Sequence, residues 1–135
     1  MKAFAAAAAI VVLTASGSWA AAPSLYTSAQ AAAGQRAYES NCASCHGARL
    51  EGGAGPALAG ANLVKLHTRT RLTVGDVFAF TVHQMPLGAP SSLPRETYVD
   101  IMAYILHVNG YPIGAKPLSY DAAMKSTAIM TSHPR

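Results

Sequence analysis

Residues 41–48 read Asn-Cys-Ala-Ser-Cys-His-Gly-Ala (NCASCHGA) and hold both cysteines of the chain, with a histidine directly after the second. Cys42-x-x-Cys45-His46 admits four chemistries: a disulfide, a metal knuckle, a redox dithiol or an attachment site for haem. A disulfide here closes so short a loop that it adds little stability. Structural zinc wants four ligands, and there is no second cysteine pair to complete them. A thioredoxin-like dithiol wants a βαβ setting, yet no stretch shows the period-two alternation of a strand. Covalent haem attachment uses every residue of the motif. The thiols of Cys42 and Cys45 add to the two vinyl groups on one porphyrin edge, and His46 is left as the proximal iron ligand. The motif therefore reads as one covalently attached haem c.

The start of the chain sets the compartment. Lys2 is followed by an apolar run from Phe4 to Leu13, and Ser18-Trp19-Ala20 places small residues where a signal peptidase reads. A retained membrane anchor would need about 20 apolar residues, more than this run has. Residues 1–20 are thus expected to be a cleaved signal peptide, with the boundary at 20–22 and the mature protein in the periplasm without stable membrane insertion. About 115 residues remain, one small domain by length, of a size at which a cofactor often supplements the core.

The sequence carries 10 basic and 6 acidic residues, a formal charge of +4. Loss of Lys2 leaves +3, and two haem propionates would bring this to about +1. Lys65, Arg69 and Arg71 cluster, but three charges make a solvated loop rather than a nucleic-acid footprint. No nucleic-acid partner is expected.

Outward from the motif, the pattern is helical. Residues 21–27 are a loose lead-in. Thr27-x-x-Gln30 is a capping box opening an alanine-rich helix to about Asn41, whose Gly34, Ala37, Tyr38 and Asn41 share one face. Gly34, lacking a side chain, invites another backbone to approach. Residues 47–60 (GARLEGGAGPALAG) hold five glycines and a proline and read as a long irregular loop. Residues 61–72 fit no clear period. Thr73-x-x-Asp76 is a second capping box, starting a short helix to about His83. MPLGAPSSLP returns to loop, and the strongest helix runs from about Pro94 to Val108. Its stripe is Ile101, Tyr104, Ile105 and Val108, widened by Tyr98 and Met102, and Asn109-Gly110 closes it. Residues 111–135 read as a partly ordered extension with one helical turn near Tyr120 to Lys125. No internal repeat is present.

These segments together resemble a class I (mitochondrial-like) cytochrome c over about residues 28–110. The likeness rests on Gly34 and Tyr38 in the first helix, Cys42-Ala43-Ser44-Cys45-His46, Gly55-Pro56-Ala57-Leu58, Met85-Pro86, and Ala103-Tyr104-Ile105-Leu106 in the last helix. A narrower likeness, over MPLGAPSSLPRETYVDIMAYILHVNGYPIGAKPLS, is to the haem c subunits and domains that accompany quinoprotein (PQQ-dependent) dehydrogenases of proteobacteria.

The resemblance implies an all-α cytochrome c fold, three to four helices around one haem, with a cytochrome domain at 21–110 and an extension at 111–135. It implies that Pro56 offers its carbonyl to the second nitrogen of His46, and that the first and last helices cross at Gly34. Met85, in a loop before proline and about forty residues past His46, is expected as the distal iron ligand. Met102 belongs to the apolar stripe, while Met124 and Met130 lie in the weakly patterned tail. His83, two residues before Met85, is the competing ligand; His67, His107 and His133 are expected in exposed or loop positions.

With both axial positions filled, the implied function is a periplasmic one-electron carrier rather than an enzyme. Its donor would be a periplasmic, quinoprotein-type dehydrogenase and its acceptor a terminal oxidase or another cytochrome. The alternatives are a haem enzyme or gas sensor with an open distal side, and a fixed haem subunit of a larger redox complex.

Overall fold

A computed structural model of the chain describes residues 23–133; the leader expected at 1–20 lies outside the described residues. Among the described residues six helical segments follow one another: α1 (Ser28–Asn41), α2 (Ala43–His46), α3 (Gly60–Thr70), α4 (Val74–Gln84), α5 (Arg95–Val108) and α6 (Tyr120–Met124). Among the described residues there is no strand, only two isolated bridges, Tyr26 with Ile113 and Thr73 with Ile129. The fold is all-α, with four helices of eleven residues or more. Residues 61–72, where no clear period was legible, are mostly the helix α3.

Both expected capping boxes form. At α1 the Gln30 N–H donates to Thr27 Oγ1 and the Thr27 N–H to Gln30 Oε1, each at 3.3 Å. At α4 the Asp76 N–H donates to Thr73 Oγ1 (3.1 Å), and the Thr73 N–H donates back to the Asp76 carboxylate (2.8 Å). Each box satisfies backbone donors that the first turn otherwise leaves open. The Thr73 N–H and hydroxyl hold the Asp76 carboxyl below the usual carboxylate range.

Thr73→Ala is accordingly expected to lower stability by about 1 kcal/mol at neutral pH. A carboxyl with a lowered folded-state pKa adds stability that is complete above its unfolded-state value and disappears as pH falls through its folded value. The loss in Thr73→Ala should therefore shrink in acid below the ordinary carboxylate range. Urea unfolding at several pH values reads both effects, and a penalty that does not change with pH would mean that the Thr73 hydroxyl does not hold the Asp76 carboxylate.

α1 and α5 cross with their backbones in contact. A Cβ built on Gly34 would lie only 1.7 Å from the Asp100 carbonyl oxygen and 2.4 Å from its carbon. Beyond this crossing the rings of Tyr38 and Tyr104 pack at 5.4 Å between centroids. Of the α5 stripe, Tyr98, Ile101, Met102 and Ile105 are in the core, while Tyr104 and Val108 are half-buried against it; Val99, Ala103 and Leu106, outside the stripe, are buried as well.

The tail departs most from its sequence pattern. Its helix α6 falls where one turn was expected, but the segments around it are packed. Tyr111, Leu118, Ala123 and Met130 are buried in the same core as α1 and α5. Gln30, having capped α1, also donates to the Leu118 carbonyl and accepts from the Leu118 N–H, both at 2.8 Å. Tyr120 packs edge-on against Phe78 of α4 at 5.3 Å, and the Arg95 guanidinium lies over the Tyr120 ring, 4.6 Å from its centroid. Residues 126–130 then run beside 72–75 through the hydrogen bonds Gly75 N–H to Ser126 O, Val74 N–H to Ala128 O and Met130 N–H to Leu72 O. These contacts bridge residues far apart in sequence, so no local period announces them.

Candidate haem site

The motif sits where α1 gives way to α2. Cys42 closes α1, its N–H donating to Tyr38 O (2.8 Å), and its carbonyl then accepts from His46 N–H (2.9 Å) and Cys45 N–H (3.2 Å). One turn thus presents both cysteines and the histidine. Both thiols are free, Cys42 half-buried and Cys45 exposed. Burial, and next the neighbouring Cys45, push the Cys42 thiol up to about 11. A redox dithiol wants a βαβ setting, and among the described residues there is no strand.

His46 is 8% exposed, and its Nδ1 lies 2.8 Å from the Pro56 carbonyl oxygen. A carbonyl can only accept, so Nδ1 carries the proton and Nε2 keeps its lone pair. The loop that places Pro56 is more ordered than its glycines suggested. It is tied back to the motif by Gly52 N–H to His46 O (2.8 Å) and Gly55 N–H to Cys45 O (2.9 Å). The Tyr38 hydroxyl donates to Gly47 O at 2.7 Å, and burial raises that phenol's pKa above its ordinary value. Gly55 lies so close that a Cβ there would be 2.8 Å from His46 Cε1 and 2.9 Å from Nδ1.

Sequence reasoning missed Asn109, read only as a helix end. It is wholly buried, and its Nδ2 donates to Leu58 O and to Ile105 O, both at 2.9 Å. Gly60 N–H approaches its Oδ1 at 3.3 Å. Asn109 therefore ties the far end of the proline loop to α5. Its position before Gly110 was the only signal, and it shows a cap, not a clasp.

Met85 comes from a separate element. It caps α4, half-buried, with its N–H donating to Thr81 O at 3.1 Å. Its carbonyl accepts from the Tyr98 hydroxyl of α5 at 2.7 Å. The loop beyond turns back where the Ser91 N–H (3.1 Å) and hydroxyl (3.0 Å) both donate to Val82 O. His83, the competing imidazole, is exposed in the last turn of α4. Met102 is core, and so is Met130, which packs in the tail. His107 lies beside the Tyr26 hydroxyl, and His133 packs edge-on against Tyr111.

The donor set suits haem and not a bare ion. Among the described residues no three His, Cys, Asp or Glu converge as metal ligands. A metal held by one histidine must bring most of its coordination with it, as a porphyrin-bound iron does. Two free thiols one turn apart, beside a histidine with its tautomer set, supply the covalent and axial attachments such a group requires.

Comparison with known proteins agrees. The chain matches the family model described as cytochrome C oxidase, cbb3-type, subunit III, over residues 29–105. Its structure is similar to one in the crystal structure of the sulfane dehydrogenase SoxCD from Paracoccus pantotrophus. The TM-score is 0.53 and the identity 28%, over 70% of this chain and 51% of that one. This chain thus spans about half the length of that relative. No curated protein sequence matches it.

Proposed function

The chain belongs to the family described as cytochrome c oxidase, cbb3-type, subunit III, and is an all-α, class I c-type cytochrome; from that premise we propose that it is an exported one-electron carrier with a single haem c held by His46 and Met85. Thioether bonds at Cys42 and Cys45 attach the haem, which when bound supplies a one-electron ferric/ferrous couple. The His46 Nδ1 to Pro56 O bond of 2.8 Å carries the reading. It fixes the imidazole ring, keeps the Nε2 lone pair available for iron and raises its donor strength. Met85 is preferred to His83 because it is half-buried with both of its peptide groups tied down, while His83 is exposed.

Two protein ligands leave no position for a substrate, so these residues serve to hold one geometry in both oxidation states. A thioether opposite imidazole in an apolar setting favours the ferrous form. Among the described residues no helix is long and apolar enough to cross a membrane, and the leader read at residues 1–20 would place the mature chain in the periplasm. Its partners would be a periplasmic dehydrogenase, of the quinoprotein type by sequence likeness, as donor, and a terminal oxidase or another cytochrome as acceptor. The likeness to a chain of a sulfane dehydrogenase favours a second form of this reading, a haem subunit fixed to its dehydrogenase. Co-purification with a larger subunit would mark that form, and an isolated monomer would mark the shuttle.

Absorption spectra with and without carbon monoxide test the ligation. The oxidised protein should show a weak far-red iron–thioether band, and the reduced protein should ignore carbon monoxide. Met85→Ala should keep covalent haem, lose that band and bind carbon monoxide. A variant with the unaltered low-spin spectrum would overturn the assignment of Met85.

A further inference from the structure

Both axial residues of the proposed site are followed closely by a carbonyl held by a buried tyrosine. On the proximal side Tyr38 of α1 donates to Gly47 O, directly after His46 (2.7 Å). On the distal side Tyr98 of α5 donates to the carbonyl of Met85 itself (2.7 Å). These are the two helices whose backbones touch at Gly34. Tyr98 is 2% exposed, its ring locked among the core residues of α5. Its hydroxyl also lies 3.5 Å from the Leu93 N–H at the far end of the same loop.

The geometry of Met85 follows from its two flanking peptides. α4 holds the first through Met85 N–H to Thr81 O, and Tyr98 holds the second. With both planes fixed, the direction in which the side chain leaves the backbone is fixed as well. Without the Tyr98 bond, the Met85 carbonyl is held by nothing from α5, and the loop can swing about the end of α4.

Building on the His46/Met85 reading, we infer that Tyr98 is a positioning residue, a pin that holds the Met85 loop to α5 and keeps the thioether seated on the iron. The hydroxyl bonds to the Met85 backbone carbonyl. It acts through the Met85 backbone, by lowering the fraction of time the loop spends away from the haem.

The test is Tyr98→Phe, which keeps the buried ring and removes only the oxygen, with Tyr111→Phe as control. Tyr111 is an equally buried tyrosine whose hydroxyl donates to the Ile129 carbonyl, in the tail. Stopped-flow binding of imidazole to the oxidised holoprotein reports release of the distal ligand. Tyr98→Phe should speed it by about tenfold, the order expected when one hydrogen bond from a buried tyrosine is lost. Its midpoint potential should fall, since release is easier from the ferric form. Tyr111→Phe should change neither quantity while losing comparable stability to denaturant. Equal acceleration in both variants, or none in Tyr98→Phe, would overturn the proposal.

Met85→Ala run alongside separates the two readings. If it does not open the iron, the ligand assignment falls; if it does and Tyr98→Phe exchanges as the parent does, only the pin falls. Should Tyr98→Phe give no holoprotein, NMR of the reduced parent decides. The Tyr98 hydroxyl proton should exchange slowly with water and show cross-relaxation to Met85 and Pro86 protons. A rapidly exchanging hydroxyl would refute the pin.

Discussion

Gly34→Ala should cost about 3 kcal/mol of stability, and holoprotein should accumulate poorly in the cell. Two opposing effects set that figure. Alanine is the better helix former by about 1 kcal/mol, so on an exposed helix face the change would stabilise α1. At this position the new Cβ would stand 1.7 Å from the Asp100 oxygen and 3.0 Å from Tyr104 Cβ. The first neighbour is backbone and cannot rotate away. α1 and α5 must instead move apart, which loosens the packing of Ala31, Tyr38 and Ile101 together. Overpacking of this kind costs 1–3 kcal/mol or more, and opposed to backbone it belongs at or above the upper end, so the clash outweighs the propensity. Because the motif follows α1 directly, the loss should also appear as inefficient haem attachment. Gln35→Ala, one residue along on the exposed face, should stay within about 0.5 kcal/mol of the parent. Denaturant unfolding of both variants measures the difference, and equal stabilities would mean that the helices do not touch at Gly34.

A close approach at Gly34 was legible from the glycine itself, and the family resemblance implied that the last helix is the one that crosses there. The same holds for much of the site. Cys42, Cys45 and His46 are adjacent, so their grouping needs no tertiary information, and each capping box is written within four residues. What local pattern could not show is what distant residues do to one another. The loop at 47–60 looked irregular because its hydrogen bonds run back to the motif and, through Asn109, to α5. Glycine richness signals freedom in the unfolded chain but is silent on how the folded chain uses it. The tail lacks periodicity for a related reason. Met130 and Leu118 are buried singly in non-helical stretches, whereas a stripe appears only when one helix face meets one surface. Tyr98 shows a third limit: its place on the apolar stripe of α5 was clear, but the bond made by its hydroxyl was not.

Gly55→Ala should disturb the site without altering any residue that holds the haem. Its Cβ would meet the imidazole of His46 at 2.8–3.2 Å on three ring atoms. The contact is with a ring that has nowhere to go, since Pro56 holds its Nδ1 and the residue is almost wholly buried. Either the ring rotates and breaks the 2.8 Å bond to Pro56, or the loop retreats and strains the Gly55 N–H to Cys45 O bond of 2.9 Å. The first leaves the Nδ1–H of the buried His46 ring unpaired, and the second pulls at the motif; each costs on the order of 2 kcal/mol. Neither outcome touches the thiols, so haem should still be joined covalently at Cys42 and Cys45. What should change is the proximal bond: a weaker, tilted imidazole, a mixture of low- and high-spin ferric spectra, and carbon monoxide binding by the reduced protein. The thioether band should weaken along with it, because that band depends on both axial ligands. Such a pattern differs from that of Met85→Ala, in which the histidine side is untouched and its proton signals should keep their parent positions. If Gly55→Ala instead retains the parent spectrum and stability, the proline loop does not press on His46, and the reason for glycine at position 55 must be sought in the loop's own turn.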